Sequence, residues 1–159
     1  MPTTLRPPCI IAPHFLLVGL LACLLLSTAC TSTTPLAAND DTAGLAAAEE
    51  FIGSKLPDGA ADVHIAEQTG IDHLVQIRLM AKPSAVSSFL EQLGIATLLE
   101  PGYSPFPSSA GSGLPWWTPE TGANARGAEA ILDGKAFEVQ VEESSPDAWL
   151  LYLRVYEAS

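Results

Sequence analysis

Few side chains in this sequence could do chemistry, and they are scattered. Beyond residue 30 the histidines are His64 and His73, with Glu67 and Asp72 close by. Imidazole and carboxylate are common metal ligands, so this group reads first as a metal site. Strand alternation argues against it. A hairpin at Gln68-Thr69-Gly70 pairs Glu67 with Ile71, Ile65 with His73 and Val63 with Val75, which sends the two imidazoles to opposite sides of a sheet. His73 is then a core-edge residue, and His64 lies on the open face diagonal to Asp72. Trp116-Trp117, framed by Pro115 and Pro119, is the most unusual local feature. A rigid aromatic surface in a loop can stack on a sugar ring or a peptide at little entropic cost; equally, one ring can plug the core edge. Trp116, Trp117 and His64 are the candidate ligand or partner contacts.

Other potential catalytic groups fit poorly. Ser112, in Ser109-Ala110-Gly111-Ser112-Gly113, lies in a loop and not at the strand-to-helix elbow of a serine nucleophile. Glu142 and Glu143 are adjacent, so on a strand they face opposite ways and cannot work as an acid–base pair. Glu49-Glu50 reads as a solvated helix face, and no glycine-rich phosphate cradle is present. The sequence yields no catalytic residue, no metal ligand set and no cofactor site.

The elements that position these residues follow from periodicity. Asp41 or Thr42 can cap a helix to about Ser54, with Leu45, Ala48, Ile52 and Leu56 on one face and Asp40, Asp41, Glu49 and Glu50 in its first half. Strands at 61–67 and 71–80 form the first hairpin. Val63, Ile65, Val75, Ile77 and Leu79 share one face; Asp62, His64, Asp72, Gln76 and Arg78 share the other. Pro83 opens a second helix, with Val86, Phe89, Leu90 and Leu93 on one side and Gly94 after it. Ile95–Leu99 is a short apolar segment that suits a strand. Residues 100–119 hold five prolines and three glycines, a long irregular loop of the kind that is usually functional or disordered. Asp133-Gly134 signals a type I′ hairpin between 128–132 and 135–142, and Trp149–Tyr156 alternates as a last strand. The expected fold is α+β, an antiparallel sheet of about five strands with two helices packed on one face. One of the two tryptophans is expected against the apolar sheet face, with the loop folded over one end.

The first thirty residues have a different character. Arg6 is the sole formally charged residue before Cys30, Phe15–Leu26 is a continuous apolar run, and Ser27, Thr28 and Ala29 precede the cysteine. A positive start, an apolar run and small residues before a cut site match a secretory signal. Leu26-Ser27-Thr28-Ala29-Cys30 resembles the lipobox of bacterial lipoproteins. The resemblance implies lipid on the Cys30 thiol, cleavage before it, and anchoring in the cell envelope. Thr31 takes the place of the aspartate that marks inner-membrane retention in that class, so an outer membrane is implied where there are two. Leu20-Leu21-Ala22-Cys23 also fits the short pattern, and an uncleaved anchor or ordinary cleavage without lipid stay open. On this reading residues 1–29 are a signal peptide, 30–40 a flexible tether and 41–159 a single α+β domain.

Cys9, Cys23 and Cys30 are the only cysteines, so the domain beyond them has no internal disulfide and no cysteine nucleophile. The chain carries a formal charge of −11, and its single early cation makes the rest more acidic still. Such a surface repels phosphate backbones and disfavours nucleic acid. The expected partners are the membrane, through the lipid, and an envelope protein or glycan. The expected role is a non-enzymatic binding or interaction domain; a hydrolase of an envelope polymer and a structural or assembly factor are the alternatives.

Overall fold

The computed structural model describes residues 37–38, 42–70 and 72–158. In chain order the elements are β1 (Ala37–Ala38), α1 (Thr42–Ile52), β2 (Ala61–Gln68), β3 (Leu74–Ala81), α2 (Pro83–Gln92), a 3₁₀ turn (Ala96–Leu98), β4 (Glu100–Pro101), β5 (Ala125–Leu132), β6 (Lys135–Ser145) and β7 (Ala148–Glu157). Six of the strands, β2 to β7, form an antiparallel sheet, and the two-residue β1 adds a seventh at its edge, in the order β1-β2-β3-β7-β6-β5-β4. The α+β class therefore holds, but the expected count of five strands was short. The two-residue strands β1 and β4 have no periodic pattern to read. Ala37 and Ala38, expected within the flexible tether, pair with Glu67 and Ala66.

One sheet face is apolar and carries both helices. Val75, Ile77 and Leu79 of β3, Phe137, Val139 and Val141 of β6, and Leu151, Leu153 and Val155 of β7 form one cluster with Ala48 and Ile52 of α1 and Val86, Phe89 and Leu90 of α2. Each fully buried side chain of this kind contributes about 1.5–3 kcal/mol. The i, i+3, i+4 spacing of Val86, Phe89 and Leu90 puts all three on the side of α2 facing the sheet. Glu49 and Glu50 fall in the last turn of α1 and not its first half. There Glu49 Oε2 takes Lys55 Nζ at 2.7 Å and Oε1 accepts the Leu56 N–H at 3.0 Å, fastening the turn after the helix. Ile95–Leu99 makes the 3₁₀ turn in place of the expected strand.

The Asp133-Gly134 hairpin is as read: Leu132 pairs with Lys135, and φ is +50° and +76° at the two turn residues, as type I′ requires. The first hairpin differs. Glu67 pairs with Val75 and Ile65 with Ile77, four residues from the expected register, because the connection runs from Thr69 to His73. Side chains repeat every two residues, so an even shift leaves each on its expected face, and alternation alone cannot tell the two registers apart. The new register places Ile65, 4% exposed, opposite Ile77, which is fully buried. It also releases His73 from the ladder to meet Glu67 Oε1 at 2.7 Å and the Phe51 ring, with centroids 4.0 Å apart.

Candidate functional site: the loop-covered face of the sheet

The second face of the sheet is polar. Strand pairing lines up His64, Arg78, Tyr152, Gln140 and Gly127 in one row, with Ala66, Gln76, Arg154 and Glu138 in the next. The segment from Tyr103 to Glu120 crosses this face, so the expectation that a tryptophan would pack on the apolar face is overturned. The helices already cover that side. Trp117, 6% exposed, forms a separate cluster with Ala66, Leu114 and Tyr152. Its ring meets Tyr152 and Phe106 edge-on, at 5.5 Å and 5.0 Å.

Close approach explains two glycines here. A Cβ at Gly127 would stand 2.4 Å from the Tyr103 carbonyl oxygen, and one at Gly111 2.1 Å from the Trp117 ring; both are far inside van der Waals contact. Hydrogen bonds fix the far end of the loop. Glu142 Oε1 accepts the Glu120 N–H at 2.6 Å and Gln140 Nε2 at 2.8 Å, Gln140 Nε2 also donates to the Glu120 carbonyl at 2.6 Å, and Tyr152 donates to the Thr118 carbonyl at 3.2 Å. Burial pushes the Glu142 carboxyl above its ordinary value in spite of these bonds. At the near end Tyr103 donates to Glu129, and that acceptor, with burial and further carboxylates, pushes the phenol up to about 12.

The sequence-derived contacts separate here. His64 and Trp116 come together, stacked with centroids 5.4 Å apart and planes 16° from parallel. Trp117, beside them, is a structural plug. His64 Nε2 lies 2.9 Å from Asp62 Oδ1, and Arg78 Nη1 donates to Asp62 Oδ2 at 2.6 Å. The expected diagonal partner Asp72 is displaced: with Arg78 opposite His64, it lies six residues away along the chain, in the connection before β3. Asp62 sits at a β-bulge with φ +51°, an uncommon conformation for a residue with a side chain, and bulges re-aim side chains near functional sites. His64, and then Arg78, hold the Asp62 carboxyl below its usual value. Burial works against the Arg78 charge, but the bonded Asp62 carboxylate and the nearby Tyr152 hydroxyl together outweigh it and raise its pKa. Sequence reasoning placed Asp62 and Arg78 on this face but did not join them to the site, because no spacing rule anticipates a bulge.

The arrangement offers an aromatic platform, Trp116 on His64, beside a partly exposed charged cluster. On this face the N–H groups of Trp116 Nε1, Trp117 Nε1, Gln76 Nε2 and Arg78 Nε are buried without an acceptor in the protein; ordered water satisfies such groups. Glu142 faces the loop and Glu143 is exposed, on opposite sides of β6 as expected. Among the described residues no group of three or more His, Cys, Asp or Glu side chains is placed to hold a metal ion, and no helix is long and apolar enough to cross a membrane. Cys30 and the signal-like segment lie outside the described residues. No protein family, curated protein or solved structure matches this chain.

Proposed function

We propose that the chain is a lipid-anchored protein of the bacterial cell envelope whose domain is a non-enzymatic binding module, and that it takes an envelope glycan or protein against Trp116 and His64. The observation that carries the binding reading is the Trp116–His64 stack, set on a strand and backed by Asp62 and Arg78. An aromatic face held by a rigid scaffold contacts sugars and peptides with little ordering cost. The anchor rests on the lipobox-like residues ending at Cys30.

The test is photocrosslinking in intact cells from a benzophenone amino acid at Pro115. A discrete adduct with a glycan strand or envelope protein, lost in Trp116→Ala and His64→Ala variants that keep wild-type melting curves, supports the reading. Adducts that survive both substitutions refute it. Lipid is tested separately: Cys30→Ala abolishes labelling by an alkyne fatty acid, and labelling that instead depends on Cys23 moves the anchor. The Asp62–His64 pair, 2.9 Å apart, favours the hydrolase alternative, since a carboxylate orients a catalytic imidazole. Polymer hydrolysis lost in His64→Ala, with binding kept, would favour that alternative.

A further inference from the structure

A second feature stands apart from the tryptophan platform. Where the loop rejoins the sheet, a cavity of about 300 Å³ is lined by Glu120–Ala125, Glu142, Glu143, Ser144 and Leu150. Its volume is at the lower end of the range for ligand cavities. Glu142 is in its wall and is 7% exposed. Both hydrogen bonds of this carboxylate go to Oε1, from Glu120 N and Gln140 Nε2. Among the described residues Oε2 has no hydrogen-bond partner and Glu142 no ion pair. Its position in the wall leaves that oxygen to the cavity.

No cation in the cavity wall compensates a negative charge on Glu142. The wall contains no lysine, arginine or histidine. Glu120, from the loop, adds repulsion; Arg78, already engaged with Asp62, eases the charge, but less than the two hydrogen bonds do. Asn124 and Ser144 add neutral oxygens, and Ala123, Ala125 and Leu150 add methyl surface. An ammonium has three donors and needs oxygen acceptors on several sides, while the carbon chain behind it packs on apolar wall.

We propose that this cavity is a binding site for the ammonium end of an alkylamine, such as a lysine side chain of a peptide, with Glu142 Oε2 as its charged acceptor and Asn124 and Ser144 completing the shell. A bound cation favours the ionised carboxylate, so binding and deprotonation of Glu142 promote each other.

The test uses the full chain in detergent with the probe Nα-acetyl-lysine methylamide. The Glu142 carboxyl carbon is followed by NMR against pH, with and without saturating probe. The midpoint is expected to fall by about one unit, equivalent to about tenfold tighter binding to the ionised form. The Nε-acetylated probe, which lacks the charge, is expected to leave the midpoint in place. Glu142→Gln keeps a side-chain oxygen for the Glu120 N–H and is expected to weaken binding at least tenfold. A midpoint unmoved by the charged probe, an equal response to the acetylated one, or undiminished binding in a folded Glu142→Gln protein each overturns the proposal. If Glu142→Gln fails to fold, the wild-type titration decides alone. Neither result depends on Trp116 or His64, so failure here is distinguishable from failure of the tryptophan platform.

Discussion

Replacing Trp117 with alanine tests whether the loop is part of the folded unit. The ring is 6% exposed, contacts Tyr152, Phe106 and Trp116, and sits against Gly111. Its removal forfeits the transfer free energy of a large aromatic and leaves a cavity that the ties at Glu142, Gln140 and Tyr152 prevent from closing. The expected loss is about 3–5 kcal/mol, a large part of the 5–15 kcal/mol that holds most domains folded. Urea unfolding followed by far-ultraviolet circular dichroism avoids relying on the deleted fluorophore. With a slope of about 2 kcal/mol per molar urea, the midpoint should fall by about 1.5–2.5 M. Trp116→Ala removes a ring that is only partly buried and should move the midpoint less. Gly111→Ala reaches the same seat from the other side, since its Cβ would overlap the Trp117 ring at a position where φ is +71°. A Trp117→Ala midpoint within about 0.3 M of wild type, below any cavity cost of this kind, would show that the loop lifts off without the sheet noticing, and the reasoning would be wrong.

Two further outcomes follow from the backbone and the charges. Gly134→Val puts a β-branched residue at φ +76°; a cost of about 1–2 kcal/mol should lower the melting temperature by roughly 4–10 °C, measured by calorimetry, and an unchanged value would mean the turn tolerates side chains. Asp62 is held below its ordinary value of 3.8, first by His64 and then by Arg78. A depressed carboxylate stabilises fully above its unfolded pKa and loses that contribution as pH falls through the folded value. Asp62→Asn should therefore melt lower than wild type at pH 7, with the two curves converging below about pH 4; parallel curves down to pH 2 would mean the bulge pair contributes nothing.

How much could be read from the sequence differs between the two faces. Leu45, Ala48 and Ile52, Val86, Phe89 and Leu90, and the alternating residues of β3, β6 and β7 announce the apolar face, because burial leaves a period in the chain. Asp133-Gly134 gave its turn because few residue pairs accept two positive φ angles. The register of β2 on β3 was not legible: a shift by four keeps every facing, and the energy that separates the registers lies in cross-strand pairs such as Ile65–Ile77. The candidate site was legible only as pieces. His64 and Trp116 were named separately, and what joins them is a long irregular loop whose path no periodicity records.

That loop also explains why the second face looks solvent-exposed in the sequence when much of it is buried. Gln140 is fully buried and Gln76, Glu138 and Glu142 are each under 10% exposed, yet each stands where alternation reads a wet face. A helix could not have covered these residues well, because its backbone bonds are spent internally and it presents only side chains. An irregular segment has free N–H and C=O groups, and the sheet face supplies their partners: Glu142 takes the Glu120 N–H, Gln140 the Glu120 carbonyl and Tyr152 the Thr118 carbonyl. The polar row is thus the complement of the loop's own backbone, which is how a buried loop avoids the cost of unpaired amides. The match is incomplete: among the described residues Gln76 Nε2, Arg78 Nε, Trp116 Nε1, Trp117 Nε1, Arg126 Nε and Gln140 Oε1 are buried without a partner in the protein, and Glu142 Oε2, in the cavity wall, takes no hydrogen bond from it. Buried water closes such gaps inside a fold, whereas the Glu142 oxygen, in the wall of a cavity, is where an ammonium would make the missing bond.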